Sequence, residues 1–364
     1  MKINPVFSDP DAVLVSQIPL AGPASWDDFH RAAVQAMAAL DIVLENEPVV
    51  IKPNITSGER IANPDSGITT HPGFVQGMIA YVQAHGARSG RVVISDDVRD
   101  SDDAAPRCWD GTGYDRVAQE TGARLHCTTM RGCVRRRVPR PQVYEALPVS
   151  RMACAPNVLI NVPKLKTHNL AITTLCLKNL MGLVKVTDRH YCIEAWQELP
   201  VEARSDPRPR REWLHQETHE IWQAGLARRL VDTAQVIRPA LNVIEGVVGR
   251  EGTGFQRGRN RPLGLAIAGV NMVAVDSLAS YLMGFDPQRL IYLRLAAEAG
   301  LGQNDVRRLR VYLAQPGDLS LCQDVSALRV DPPLRVISHI VEDDPDLVRR
   351  MQQPVDYSDN LLGI

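Results

Sequence analysis

The sequence has no Cys-x-x-Cys pair, and its seven cysteines (Cys108, Cys127, Cys133, Cys154, Cys176, Cys192 and Cys322) are scattered. Disulfide scaffolds and zinc knuckles need closer, patterned thiols, so free or buried thiols are the expectation. An iron–sulfur cluster needs several thiolates in a compact run, and none is present, so no cluster is expected. No apolar stretch approaches the ~20 residues that cross a bilayer, which argues against a membrane-embedded protein. The opening Met1-Lys2-Ile3-Asn4-Pro5 lacks the long apolar core of a secretory signal, and a cytoplasmic location is expected. A formal net charge of −1 leaves no basic surplus for phosphate backbones, which argues against nucleic acid as a partner. Neither a Gly-x-Gly-x-x-Gly turn between strand and helix nor a Walker loop occurs, so a nucleotide cofactor has no motif to sit on. His-Glu-x-x-His, a compact His-x-His pair, internal repeats and low-complexity stretches are absent as well.

What is present is an ordinary globular composition. With 45% hydrophobic and 23% charged residues over 364 positions, the chain can bury a core and has room for two domains. Strand-like runs alternate with helical ones, the pattern of an α/β fold with a mainly parallel or mixed sheet and helices on both faces. The expected organisation is two lobes around a cleft: an N-terminal α/β lobe over 1–150, a second over 151–315, and a closing segment over 316–364.

Local signals place the elements. Val49-Val50-Ile51 is a strand ended by Lys52-Pro53-Asn54, since the second proline breaks the ladder. Pro72 suits the first helical position, and Phe74, Met78, Ile79 and Val82 give an apolar face until Gly86. Residues 91–97 form a strand that delivers Asp96 and Asp97 at its end, followed by a short helix over 111–122 and a strand over 123–129. Further strands are expected at 158–161, 241–245 and 263–268, and helices at 175–184, 217–236 and 273–283, with a closing strand or two and a polar tail after 315. The arginine runs 131–140 and 204–211 and the aspartate-rich stretch 96–103 read as solvated loops, with a gate for an anionic substrate as the functional alternative.

Polar chemistry gathers in a few segments. Lys52 and Asn54 sit where a strand leaves the sheet, a lysine there acting as a point charge for carboxylate or phosphate. In Thr69-Thr70-His71-Pro72, Thr70 or His71 caps a helix, so free N–H groups and the positive dipole end lie beside the imidazole. In Asn161-Val162-Pro163-Lys164-Leu165-Lys166-Thr167-His168, the two lysines point the same way if the segment is extended. Lys178 and Asn179 lie in an otherwise apolar stretch, where an ammonium must lose its charge or find an anion. Lys178 is thus a general base, a carboxylate clamp, or the partner of a buried acid. Glu245 and Glu251 flank a glycine-rich loop, Glu251-Gly252-Thr253-Gly254, and can be acid/base groups or hard-metal ligands. Asp276 is either a buried network member or a site residue. His215 and His219, four apart on a helix, have a spacing that permits metal ligation.

Taken together, Val50-Ile51-Lys52-Pro53-Asn54, Thr69-Thr70-His71-Pro72, Val162-Pro163-Lys164-Leu165-Lys166-Thr167-His168, Leu177-Lys178-Asn179-Leu180-Met181-Gly182, Glu251-Gly252-Thr253-Gly254 and Ala274-Val275-Asp276 resemble the family called domain of unknown function 362. Many members carry a ferredoxin-like cysteine module; this chain lacks it, so the resemblance carries over no cluster. The family's Gly-Pro after the glutamate is Gly254-Phe255 here. More distantly, a lysine before a Met-Gly turn is similar to the nickel-pincer lactate racemase pattern. That likeness implies two α/β lobes in which lysine and histidine act on a hydroxy or keto acid. A fold-level kinship does not fix a reaction.

The expected function is a small-molecule enzyme of isomerase, lyase or cyclase type, acting by acid/base chemistry on an anionic or carbonyl substrate in specialised biosynthesis. His71, His168, Lys178 and Glu251 are the expected catalytic groups. Lys52, Asn54, Thr70, Lys164, Lys166 and Asn179 are the expected substrate-binding ones. Two alternatives stand beside it. One is a metal-dependent oxidoreductase or oxygenase with a single ion on His and carboxylate ligands; the other is a non-catalytic binding protein for an anionic cofactor or intermediate. The oligomeric state is open, a homo-oligomer included.

Overall fold

Short aliphatic runs become the strands β1 (Ala12–Gln17), β2 (Val49–Pro53), β3 (Val92–Asp96), β4 (Arg124–Cys127), β5 (Cys133–Arg137), β6 (Ala146–Ser150), β7 (Val158–Val162), β8 (Lys164–His168), β9 (Ile172–Thr174), β10 (Leu241–Arg250), β11 (Asn260–Gly269), β12 (Arg310–Gln315) and β13 (Asp318–Leu321). The helices are α1 (Trp26–Ala39), α2 (Pro72–Ala84), α3 (Tyr114–Thr121), α4 (Cys176–Asn179), α5 (Tyr191–Gln197), α6 (Val201–Arg204), α7 (Gln216–Val236), α8 (Met272–Met283) and α9 (Ile291–Glu298). The computed structural model describes residues 1–55, 64–97, 109–185, 191–204, 216–254, 258–315 and 317–338.

Among the described residues one mixed eleven-stranded sheet runs through the molecule in the order β13-β12-β1-β11-β10-β7-β2-β3-β4, with β8 joined to β10 and carrying β9. The stretch β10-β7-β2-β3-β4 is parallel, while β11 is antiparallel to both β1 and β10. The fold is thus α/β with a mixed sheet. Because successive strand residues face opposite ways, the sheet serves two cores. Val50, Val93, Leu159, Ile244 and Ile267 pack with α7, α8 and α9 on one face. Val49, Ile51, Ile94, Ile160 and Val243 pack with α1, α2 and α3 on the other. Strand β7, from beyond residue 150, lies between β10 and β2. The division expected at 150 therefore falls inside one continuous sheet, and both cores draw on residues from either side of it.

Helix starts follow their caps. Ser25 and Asp28 form a reciprocal capping box for α1, and Asn271 accepts the N–H groups of Val273 and Ala274 to open α8. The first arginine run is not a loop: residues 133–137 form β5, paired antiparallel with β6, and Arg135, Arg136 and Arg137 are exposed on it. Of the second run, 205–211 lies outside the described residues, as do Cys108, Phe255, most of the aspartate-rich stretch and the tail from 339. Cys133, Cys154, Cys176, Cys192 and Cys322 are free thiols, whereas Cys127 is disulfide-bonded, a departure from the expectation of unpaired thiols. No helix among the described residues is long and apolar enough to cross a membrane.

Candidate active site

Strands β3, β2 and β7 end side by side, bringing Asp96, Lys52 and Asn161 to the carboxyl edge of the parallel stretch, where α/β sheets gather their ligands. Lys52 Nζ donates to Asp96 Oδ1 at 2.7 Å, to Pro53 O at 2.6 Å and to Asn179 Oδ1 at 3.3 Å. Asp96 also accepts the N–H groups of Ile55 and Asp97, each at 2.8 Å. A buried ion pair is tolerated when its remaining donors and acceptors are filled, and these contacts fill them. Asn179 Nδ2 donates to Lys52 O (3.1 Å) and Asn161 Oδ1 (2.8 Å), and Asn161 Nδ2 donates to Asn242 Oδ1 (3.0 Å). A row of buried amides thus ties β2, β7 and β10 to α4.

Lys164 serves the opposite face. Its Nζ donates to Glu245 Oε2 at 2.6 Å, and Glu245 Oε2 also accepts the His71 N–H at 3.2 Å. Glu245 is fully buried, and its Oε1 accepts the Val247 N–H. Burial lowers the pKa of the Lys164 ammonium, and Glu245 opposes the shift. His71 caps α2, with Nδ1 accepting the Gly73 N–H at 3.0 Å, and its ring stacks on Phe29 at 3.8 Å. An acceptor role at Nδ1 puts the proton of the neutral ring on Nε2. That nitrogen lies 3.6 Å from Asp65 Oδ1. Burial, helped by the charge of Lys164, lowers the His71 pKa to about 3, so the imidazole is neutral near pH 7.

Between these two clusters stands Lys166. Its Nζ donates to Asn54 Oδ1 at 2.7 Å and Ile68 O at 2.9 Å. The loop that holds Asn54 is itself fixed: Asn54 and Thr70 exchange bonds through backbone and hydroxyl, and the Thr70 hydroxyl donates to Val162 O at 2.7 Å. Lys166 is 4% exposed. Burial drives its pKa well below the ordinary lysine value, and the charges of Lys178, Lys164 and Arg250, in that order, push it further, against Asp96. Lys178 is half-buried on α4 and, among the described residues, makes no hydrogen bond or ion pair. It has not found the buried acid that one of its three sequence readings required.

The remaining candidates have structural partners. His168 Nδ1 accepts the N–H groups of Leu170 and Ala171 at 3.0 and 3.1 Å, closing the turn into β9. Glu251 is buried inside an arginine cage: it pairs with Arg259, with Arg261 at 3.2 Å and with Arg335 at 3.9 Å. It also accepts the Arg335 N–H, so the glycine-rich loop holds the segment around residue 335. Asp276 accepts the N–H groups of Cys176 and Leu177 at 2.7 and 3.0 Å and so anchors the start of α4. Burial raises its carboxyl pKa to about 7 despite those bonds. His215 lies outside the described residues, and His219 is buried on α7. No group of three or more His, Cys, Asp or Glu side chains among the described residues is placed to hold a metal ion.

The structure therefore brings Lys52, Asn54, Thr70, His71, Lys164, Lys166, Lys178 and Asn179 to one edge of the sheet, and gives Glu251 and His168 local anchoring contacts. Sequence reasoning missed Asn242, Phe29 and Tyr114, whose hydroxyl donates to Thr70 O at 2.8 Å. Only Asn242, a polar residue inside the apolar run Leu241–Ile244, carried a signal.

A family model described as domain of unknown function (DUF362) matches residues 49–281, well over half of the sequence. The chain belongs to that family. The matched span of DUF362 holds each of the rim lysines and their carboxylate partners. A thylakoid-associated protein of Synechocystis sp. is 26% identical over 280 residues, covering 77% of this chain and 76% of the relative.

Proposed function

We propose that the carboxyl edge of the sheet is the active site of a small-molecule enzyme that moves a proton beside a carbonyl, as isomerases, lyases and cyclases do. The observation that carries the reading is the pairing at Lys166 and Lys178. Lys52 and Lys164 are neutralised by Asp96 and Glu245, whereas Lys178 has no counter-ion among the described residues and raises the cost of charging Lys166. A half-buried cation without an acid attracts an anionic substrate group. A lysine whose charge is disfavoured gives up its proton more readily than an ordinary one and so is a better base near neutral pH. In this reading Lys178 receives a carboxylate or phosphate and Lys166 takes the proton. Lys52, Lys164, Asn54, Thr70 and Asn179 hold the frame, and His71 offers a neutral N–H from Nε2. Specialised biosynthesis is the setting such chemistry fits.

The test is deuterium exchange. The full chain is incubated in D2O with a panel of small oxo and hydroxy acids and phosphate esters, and exchange at the carbon next to the carbonyl is followed by NMR. Exchange with at least one compound, lost in Lys166→Met and weakened in Lys178→Ala, is expected. A second reading, a non-catalytic binder of the same anions, is favoured by one observation: both imidazoles use Nδ1 for backbone amides, and Glu251 is held by arginines. Ligand-induced stabilisation without exchange or product is its signature.

A further inference from the structure

We infer that Arg250 is an anion site: its guanidinium takes an oxyanion side-on through Nε and Nη2, in the same row of side chains that holds Lys166. The inference goes beyond the proposed proton transfer, which makes no use of Arg250, and binding alone tests it.

The row comes from strand register. Strand β10 pairs Arg250 with Lys166 of β8 on one side and with Asn260 of β11 on the other. Paired residues on neighbouring strands share a face, so Lys166, Arg250 and Asn260 stand side by side across three strands. The loop 64–70 lies against both ends of the row. Ile68 O accepts from Lys166 Nζ at 2.9 Å, Asp65 O accepts from Asn260 Nδ2 at 3.4 Å, and a β-carbon at Gly67 would overlap the Asn260 amide.

Arg250, in the middle, lacks an acid. Its Nη1 donates to the neutral Asn260 Oδ1 at 3.0 Å, the one hydrogen bond of this side chain among the described residues. Nε is enclosed and has no partner there. Other arginines withdrawn from solvent are served differently: Arg229 pairs with Glu194 and Glu198, and Arg261 and Arg335 share Glu251. Glu251 follows Arg250 in sequence but is held in that cage, and the Asp65 carboxylate lies 3.6 Å from His71 Nε2. Burial lowers the Arg250 pKa, with no carboxylate opposing the shift.

An enclosed cationic donor without an acceptor is destabilising, and an oxyanion relieves it. With Nη1 committed to Asn260, the edge that remains is Nε with Nη2. That edge offers two parallel N–H groups, which match two oxygens of a carboxylate or a phosphate. Arg250 is only half-buried, so solvent reaches part of the side chain.

The full chain is titrated at low ionic strength with inorganic phosphate and, separately, with oxalate, by calorimetry and by NMR of the arginine Nε–H groups. Saturable binding of at least one anion is expected, with one Nε–H signal moving in step with it. Phosphate alone, oxalate alone or both assigns the site to phosphoryl groups, carboxylates or either. Arg250→Lys keeps the charge and loses the fork; it should raise Kd about tenfold and remove the moving signal. Asn260→Asp sets a carboxylate against the same guanidinium and keeps the test decisive should Arg250→Lys not fold. It should raise the Tm and weaken anion binding about tenfold, a loss that a merely structural Arg250 would not produce. No saturable binding, or binding whose strength neither variant changes, overturns the site. Deuterium exchange that persists in that case leaves the proton-transfer reading standing alone. Binding that depends on Arg250 without any exchange keeps the anion site and removes the proton transfer.

Discussion

Gly182 lies against the carboxylate of Asp96. A β-carbon at 182 would overlap Asp96 Oδ1 and stand 2.8 Å from Lys52 Nζ, so the backbone after α4 can approach the buried ion pair only because position 182 has no side chain. Gly182→Ala must displace one or both charges from their partners. A loss of about 3 kcal/mol is expected, seen as a lower urea midpoint with an unchanged slope. An unchanged midpoint would mean that the ion pair yields at no cost.

Acid should destabilise the fold through His71. Its folded pKa of about 3 lies below the ordinary 6.5, so between these values the unfolded chain binds a proton that the native one does not. Stability from this group is complete above pH 6.5 and is lost as pH falls toward 3, with a slope of roughly 1.4 kcal/mol per pH unit. His71→Asn keeps a helix-capping oxygen and removes the titration. Its unfolding free energy should fall less steeply with acid than that of the unaltered protein.

Asp276 acts in the opposite direction. Its carboxyl is raised from 3.8 to about 7 by burial, against the hydrogen bonds of Cys176 and Leu177. The native state therefore keeps a proton that the unfolded chain releases, and stability present below pH 3.8 is lost as pH rises toward 7. In the unaltered protein the two groups offset one another between about pH 4 and 6.5. Asp276→Asn gives up one backbone acceptor, a cost of about 1–3 kcal/mol. It should expose a steeper rise of stability with pH, measurable by denaturation across that range.

Glu251→Gln should act on stability and on the segment around residue 335. Removing the charge leaves Arg261 and Arg335 without their shared carboxylate, at a cost of about 2–4 kcal/mol. The expected signs are a lower Tm and faster proteolysis near Arg335. Loss of turnover at an unchanged Tm would return Glu251 to the chemistry.

How far these relations could be read in one dimension depends on their range. The cap at His71 and Pro72, the strand ending at Lys52-Pro53 and the helix after Asn271 were legible because each is decided within a few residues. The reading that Lys164 and Lys166 share a direction was conditional on an extended segment, and that segment is strand β8. The partners of the lysines were not legible, since Lys164 meets Glu245 and Lys52 meets Asp96 through strand order and register. Glu251 illustrates the limit: a carboxylate on a glycine-rich loop reads as catalytic until Arg259 and Arg261 arrive from the start of β11 and Arg335 from a second segment. The reading of Arg131 to Arg140 as a loop failed because the alternating apolar partners that favour a hairpin, Leu147 and Val149, lie on the other strand.

The central claim is that burial and the neighbouring charge of Lys178 make the Lys166 ammonium much more acidic than an ordinary lysine's. Its titration can be read directly by NMR on protein carrying 13C at the lysine ε-carbons, with Lys166→Arg to assign the signal. The account predicts a midpoint well below the ordinary 10.5, shifting toward that value in Lys178→Ala as the neighbouring charge is removed. A Lys166 signal that titrates together with the surface lysines, and does not respond to the loss of Lys178, would contradict it.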